Sequence, residues 1–394
     1  MVASVDRAVN VDDLRKLAKR RLPKIAYDFI EGGLDDERGI ARNEEAFGEF
    51  RLVPRYGVDV ARVDQSTTLF GRKFASPIGI APTGLGGLFR RGADLLLAEA
   101  AREADVPFIM SGSSTALIED LARTAPEHGW YQLYLAKDRR ISEDMVRRAG
   151  DAGLSTLAIT LDVPVNSKRE RNIRNGFVRP LRLTLQTKLE ACLHPDWLVD
   201  YLRYGMPVLS NWQAYAPKGA SAAEIAEFVA SQTPSPVLWR DVEAFRRQWP
   251  GNLVLKGIMH PEDAVRAAAL GVDGIVVSNH GGRQLDRAPG PIEVLPAIHA
   301  AAGDKLTLMY DSGIRRGSDV IIALCLGAKF VFMGRPTLYG VAAGGMAGAS
   351  RALQILKQEI GTAMAQLGAA DVAGIGPQFL MWKDAGDFSR NVRP

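Results

Sequence analysis

Short apolar runs rich in β-branched residues recur along the chain, and the segments between them carry apolar positions at helical spacing. The runs fall at residues 77–81, 107–110, 130–135, 156–161, 253–256, 274–278, 305–310 and 330–333. Segments of helical period occupy, among others, 93–104, 141–153, 262–271 and 318–327. Strand–helix alternation of this kind predicts a parallel sheet, and eight units predict an α/β fold closed as a (β/α)8 TIM barrel. About ninety residues separate the fourth run from the fifth, too many for one helix, so an insertion is expected at 166–245, after the fourth strand. Ahead of the barrel, 11–30 reads as a helical pair with Asp12 and Asp13 at its start and Gly32-Gly33 as its stop, forming an N-terminal helical cap over 1–60. After the eighth run, 348–368 reads as an amphipathic helix within a C-terminal helix and tail, 348–394, that turns polar from Lys383. The whole of 1–394 is taken as one domain.

In a parallel barrel the chemistry gathers where strands end, so the residues at the C-terminal end of each run form one candidate site. They are Ala81-Pro82-Thr83-Gly84, Ser111, Gln132 and Tyr134, Thr160 and Asp162, Lys256, and Ser278 with His280 and Arg283. The sixth run is the most informative. Gly274-Ile-Val-Val is a buried strand that Asn279-His280-Gly281-Gly282 cannot continue, which leaves His280 and Arg283 on the loop beyond it. An imidazole exchanges a proton near neutral pH and a guanidinium grips a carboxylate, so an anionic substrate is expected.

The last two runs end in Asp311-Ser-Gly313-Ile-Arg315 and Gly334-Arg335, glycines beside arginines where such barrels bind phosphate. With polar side chains on strands two to four and Lys256 on the fifth, the set suits a phosphorylated planar cofactor, flavin mononucleotide (FMN) above others. Taken alone, Lys256 could equally be a strand-end lysine reaching solvent.

Composition narrows the alternatives. Lysine and arginine exceed acidic residues by only 49 to 45, dispersed along the chain, which gives no footprint for nucleic acid. Cys192 and Cys325 are far apart and without metal-ligand spacing, so no disulfide framework or metal site is expected and a reducing cytosol fits. No apolar stretch reaches the roughly 18 residues of a membrane span. The N-terminus also lacks a signal sequence's apolar region. His128, His194, His260 and His299 stand singly and read as structural.

The combination of Leu22-Pro-Lys, Ala81-Pro-Thr83, Gln132-Leu-Tyr134, Lys256-Gly257, Ser278 to Asp286, Asp311 to Gly317 and Gly334-Arg-Pro336 resembles the FMN-dependent α-hydroxy acid dehydrogenase/oxidase family over nearly the whole chain. That family includes glycolate and lactate oxidases, membrane L-lactate dehydrogenases and (S)-mandelate dehydrogenase. The resemblance implies that His280 is the active-site base and Asp162 its carboxylate partner, with Arg169 and Arg283 on the substrate carboxylate and Tyr134 hydrogen-bonded to substrate. It implies FMN contacts from Ala81, Pro82, Thr83, Ser111, Gln132, Thr160, Lys256 and Ser278 around the ring. Asp311, Gly313, Arg315, Gly334 and Arg335 would take the ribityl and phosphate parts. A 2-hydroxy acid would be oxidised to the 2-oxo acid, His280 removing either the α-proton or the hydroxyl proton. Relatives further imply a homotetramer.

Departures from the family pattern direct the substrate. Phe29 stands in Tyr27-Asp28-Phe29 where a second tyrosine is usual, which removes a hydrogen bond to the substrate carboxylate, so that either weaker substrate binding or a more apolar pocket suited to an aromatic substrate is expected. Gly84 stands where many oxidases carry alanine, as in the dehydrogenases, and Ser113 where glycolate oxidase-like members carry tryptophan. Both leave room for an aryl acid of the mandelate type, with lactate second. Within the insertion, 177–215 sets Leu181, Leu183, Leu185, Leu189, Leu193, Trp197, Leu198, Tyr201, Leu202, Tyr204 and Trp212 beside Arg179, Arg182, Lys188 and Arg203. Aromatic and aliphatic side chains beside cations suit a membrane surface. The segment also resembles the membrane-binding segment of the family's mandelate-oxidising members at Cys192-Leu-His-Pro-Asp-Trp197 and Tyr204-Gly-Met-Pro207. The expectation is a peripheral protein on the cytoplasmic side of the inner membrane that passes electrons to a quinone or other respiratory acceptor. The competing readings are a soluble oxidase that releases hydrogen peroxide and a flavin-binding barrel without catalysis.

Overall fold

Eight short strands, β1 (Ile78–Ile80), β2 (Phe108–Met110), β3 (Gly129–Leu133), β4 (Thr156–Thr160), β5 (Asn252–Ile258), β6 (Gly274–Val277), β7 (Thr307–Asp311) and β8 (Phe330–Met333), pair in parallel and close on themselves. The computed structural model describes residues 4–177 and 184–383. All eight coincide with apolar runs in the sequence, because a strand covered by helices outside and by barrel filling inside has no polar face to alternate with. The filling is one cluster, Ala81, Ile109, Trp130, Ala158, Val254, Val276, Met309, Phe330 and Phe332. A short hairpin, Thr67–Leu69 with Arg72–Phe74, seals the end at which the strands begin, with Phe70 5.7 Å from the Trp130 ring and Phe74 5.9 Å from Phe330. Each large side chain so buried contributes about 1.5–3 kcal/mol.

The N-terminal cap covers the opposite end, where the strands finish. Helix Val11–Arg21 starts where Asn10 accepts from the Asp13 N–H, and it stops ahead of Pro23. The following helix, Lys24–Glu31, ends against the loop after β6: Arg283 donates to the carbonyls of Phe29 (2.8 Å) and Gly32 (2.7 Å). Helix Arg38–Glu45 closes the same loop from above. Its Gly39 N–H donates to Asp286 (2.8 Å), and Asn43 exchanges side-chain hydrogen bonds with Asn279 (2.8 and 2.7 Å).

Between β4 and β5 the chain forms helices Glu170–Arg174, Leu185–Ala191, Pro195–Tyr204, Ala222–Gln232 and Trp239–Gln248 and a short 3-10 turn, Ser210–Tyr215. The segment expected at a membrane surface divides in two. Leu185, Leu189, Leu193 and Leu202 are 73%, 61%, 76% and 72% exposed, and Tyr204 is 45% exposed. Trp197 and Trp212 are instead buried, their indole N–H groups donating to the carbonyls of Leu88 (2.7 Å) and Gly112 (2.8 Å), and Leu198 and Tyr201 pack on the core. The sequence pattern groups these four with the surface stripe because it does not distinguish an indole anchored in protein from one anchored in lipid. Arg179, Leu181, Arg182 and Leu183 lie outside the described residues. Among the described residues no helix is long and apolar enough to cross a membrane.

The helix expected at 348–368 is the second part of Arg335–Leu367, which breaks at Gly344 and Gly345. After it, Leu380–Trp382 pairs antiparallel with Phe50–Leu52, tying the C-terminal segment to the cap, and 384–394 of the expected tail lie outside the described residues.

Candidate active site

The strand ends open into a cavity of about 680 Å³ under the cap. Phe29, Ala81, Pro82, Thr83, Gly84, Ser111, Tyr134, Arg169, Lys256, His280, Arg283, Asp311, Gly313, Arg315, Gly334 and Arg335 line it. Gln132, Thr160, Asp162 and Ser278 are buried or half-buried beside these lining residues, on the same strand ends. The sequence placed no site residue between Arg169 and Lys256, yet Phe177, Leu209 and Pro234 from the insertion also line the cavity. Only contact across more than a hundred residues brings them there, and no local motif marks them.

His280 adopts a left-handed backbone (φ 59°), followed by Gly281 and Gly282 in the same region, so three consecutive residues wind the loop back over the barrel. Its N–H donates to the Ser278 hydroxyl (3.1 Å). The ring Nδ1 is 3.0 Å from the Asp162 carboxylate, and Nε2 faces the cavity 3.4 Å from the Tyr134 hydroxyl. Asp162 can approach only because β5 bulges at Gly257 (φ 95°), where a Cβ would stand 2.5 Å from the Asp162 carboxyl carbon. The glycine of Lys256-Gly257 thus has a steric purpose. Burial lowers the pKa of His280 below its ordinary 6.5, and Asp162 opposes that shift only partly, so the imidazole is held as a neutral base. Burial pushes Asp162 up, but the hydrogen bond from the His280 ring and the Lys256 ammonium outweigh it and hold its pKa below the ordinary 3.8.

Lys256 and Asp311 form a buried ion pair at 3.0 Å, and the Lys256 ammonium also donates to the Ser278 hydroxyl (2.9 Å). Burial disfavours the ammonium, yet Asp311, Asp162 and Tyr134 together raise its pKa, so the lysine stays charged. Arg283 is pushed well below its ordinary pKa by burial and by the neighbouring guanidiniums of Arg169 and Arg335. Crowding of cations in a buried site is relieved by an anion, so the site favours an anionic ligand. Phe29 is more than a lost tyrosine: the Arg283 guanidinium sits over its ring at 5.2 Å, and Phe177 meets it edge-on at 5.2 Å.

Arg315 and Arg335 reach the cavity while engaged elsewhere. Arg315 donates to Glu44 (2.8 Å), and Arg335 donates to the carbonyls of Gly281 (2.9 Å) and Ile30 (3.0 Å). Of the other histidines, His128 meets Asp105 (2.9 Å) and His194 meets Glu190 (3.1 Å), both away from the cavity.

The FMN-dependent dehydrogenase family model matches residues 18–382. The chain belongs to the FMN-dependent dehydrogenase family. It is 42% identical over 372 residues to (S)-mandelate dehydrogenase of Pseudomonas putida, spanning 94% of this chain and 93% of that protein. It is 39% identical over 369 residues to an L-lactate dehydrogenase of Caulobacter vibrioides, spanning 93% and 96%. A crystal structure of monotopic membrane protein (S)-mandelate dehydrogenase superimposes with a TM-score of 0.92 at 41% identity, covering 96% of this chain and 100% of that one.

Membership makes the protein an oxidoreductase with FMN as its cofactor, and the cavity is chemically suited to that group. Gln132 Nε2 and Thr160 Oγ1 are buried polar atoms without a protein partner, as expected where a flavin's polar edge completes the hydrogen bonding. At the end of β7 Gly313 has φ 81°, and its missing side chain lets the loop lie against Asn43, whose carbonyl oxygen a Cβ would meet at 2.1 Å.

Proposed function

We propose that this protein oxidises an L-2-hydroxy acid with an aryl side chain to the 2-oxo acid, lactate being a poorer donor, and that a membrane quinone or other respiratory acceptor reoxidises it. One observation carries the reading: the His280–Asp162 pair faces a cavity that Arg169, Arg283 and the rings of Phe29 and Phe177 share. FMN, when bound, supplies the acceptor for the two electrons that leave the α-carbon. Ala81, Pro82, Thr83, Ser111, Gln132, Thr160, Lys256 and Ser278 would hold its ring, and Asp311, Gly313, Arg315, Gly334 and Arg335 its ribityl and phosphate parts. Arg169 and Arg283 orient the substrate carboxylate. Tyr134 donates a hydrogen bond to the substrate, and Gly84 leaves space beside it. His280 takes the proton at Nε2, and Asp162 stabilises the imidazolium through Nδ1.

Anaerobic mixing of the yellow protein with (S)-mandelate and, separately, L-lactate tests this directly through flavin absorbance. Fast bleaching by mandelate and slow bleaching by lactate is expected; bleaching by neither would overturn the reading. The aryl preference is assigned to the Phe29–Phe177 wall, where an edge-on aromatic contact contributes about 0.5–1.5 kcal/mol. Phe177→Ala should therefore raise KM for mandelate roughly threefold to tenfold and leave that for lactate nearly unchanged. Equal changes for both donors would remove Phe177 from specificity.

The four exposed leucines support docking on a membrane surface, since burying each contributes about 1.5–3 kcal/mol. A variant with Leu185, Leu189, Leu193 and Leu202 all replaced by Ser should move from the vesicle pellet to the supernatant in sedimentation with anionic liposomes. Undiminished pelleting would place the membrane contact elsewhere.

A further inference from the structure

A second cavity, of about 450 Å³, lies against the helix that carries the exposed Leu202 and shares no lining residue with the catalytic one. Helix Pro195–Tyr204 builds one wall of it. Trp197, Asp200, Tyr201 and Tyr204 share the helix face that lines the cavity, while Val199 and Leu202 point to solvent, 60% and 72% exposed. Trp197 and Tyr201 stack at 5.3 Å with 10° between their planes, and the Arg91 guanidinium lies over the Tyr204 ring at 4.7 Å. The lining also contains the carboxylates of Asp120 and Asp200, the second of which is paired with Arg21 at 2.8 Å.

Flat aromatic walls suit a flat ring, and the Arg91 guanidinium suits a hydrogen-bond acceptor on its edge, Arg90 being engaged with the carbonyls of Val341, Ala342 and Ala343. Two carboxylates in the same wall disfavour a phosphate-bearing headgroup. The occupant so described is a neutral ring with carbonyl oxygens. Position adds a redox argument. Phe89 lines this cavity, and its ring is 5.9 Å from that of Phe29, which lines the catalytic cavity. Val208 and Leu209, consecutive in sequence, face one cavity each. The Phe29–Phe89 ring contact and the Val208–Leu209 step therefore lie between the two spaces.

We propose that this cavity binds the headgroup of a membrane quinone, its tail leaving over Val199 and Leu202, in a site distinct from that of the hydroxy acid. The inference rests on the reading that a membrane acceptor reoxidises the enzyme. Two electrons and two protons leave the donor's CH–OH group as it becomes C=O. The same two electrons, with two protons, convert the quinone's two C=O groups to C–OH, and FMN ends oxidised as it began. Separate sites let a bound substrate analogue and a quinone coexist.

The test uses the holoenzyme in detergent with a short-chain azido-benzoquinone as photoprobe and peptide mapping as readout. Label should fall on peptides containing 87–95 or 195–213, be displaced by unlabelled short-chain quinone, and persist with a saturating non-oxidisable 2-hydroxy acid analogue. Leu117, 37% exposed at the cavity wall, supplies the blocking variant. Leu117→Trp should cut labelling and raise KM for the quinone at least tenfold, with the rates of substrate bleaching and ferricyanide reduction unchanged. If the wild-type enzyme reduces quinone but the label maps to the catalytic cavity and the analogue displaces it, the second site is refuted and the acceptor reading stands. If quinone does not reoxidise the wild-type enzyme and oxygen does, with release of hydrogen peroxide, both fall.

Discussion

His280→Ala is expected to yield a yellow protein that hydroxy acid no longer bleaches, the rate of flavin reduction falling on the order of 10⁴-fold. The cavity keeps its other walls, so FMN should be retained, and undiminished bleaching would remove His280 as the base. The pH dependence carries a sign that is independent of the rate. Burial disfavours the imidazolium, so the acid limb of kcat/KM should lie below the ordinary imidazole value of 6.5. Asp162 is the group that draws the His280 pKa upward. Removing its charge in Asp162→Asn should therefore move the acid limb lower still while slowing flavin reduction on the order of 10²-fold. A limb that moves upward would mean that Asp162 does not partner His280 during turnover.

Lys256→Met should be the most damaging substitution for the integrity of the site. The Lys256–Asp311 pair is buried at 3.0 Å, with side-chain exposures of 5% and 8%. Removing the ammonium leaves the Asp311 carboxylate buried without its cation, a loss on the order of 3–5 kcal/mol. Part of that cost will appear as weaker FMN retention, because Ser278 also loses its donor from Lys256. Thermal unfolding and the flavin-to-protein absorbance ratio after gel filtration measure the two effects. The double variant Lys256→Met, Asp311→Leu should recover much of the thermal stability and little of the flavin reduction. If the single variant keeps wild-type stability, the pair is not the electrostatic anchor described.

Phe29 shows how far a one-letter difference can be interpreted before a structure is in hand. In sequence it is a missing hydroxyl at a position that usually holds a carboxylate. In three dimensions its ring lies under the Arg283 guanidinium and against Phe177, so the lost hydrogen bond is replaced by a cation–aromatic contact and an apolar wall. Lys256 and Asp311 illustrate the same gap. The sequence set them at the ends of the fifth and seventh runs with separate duties toward the cofactor, and their mutual charge neutralisation follows only from the way the barrel closes.

The sequence by itself determined the barrel, because strands buried on both faces must be apolar throughout and helices between them must repeat at 3.6 residues. It also determined the set of residues at the strand ends, since in a parallel barrel every strand finishes on the same side. Tertiary structure decided what those residues do to one another. Asp162 reaches His280 across 118 positions because the strand bulges at Gly257, and the long insertion delivers Phe177 and Leu209 to the cavity without any periodic signal. It also decided which apolar side chains of the insertion are surface and which are core, turning Trp197 and Trp212 inward and Leu185, Leu189, Leu193 and Leu202 outward. Local pattern encodes how a segment is buried on average; which partner buries it depends on contacts between segments far apart in the chain, and these no single stretch of sequence carries.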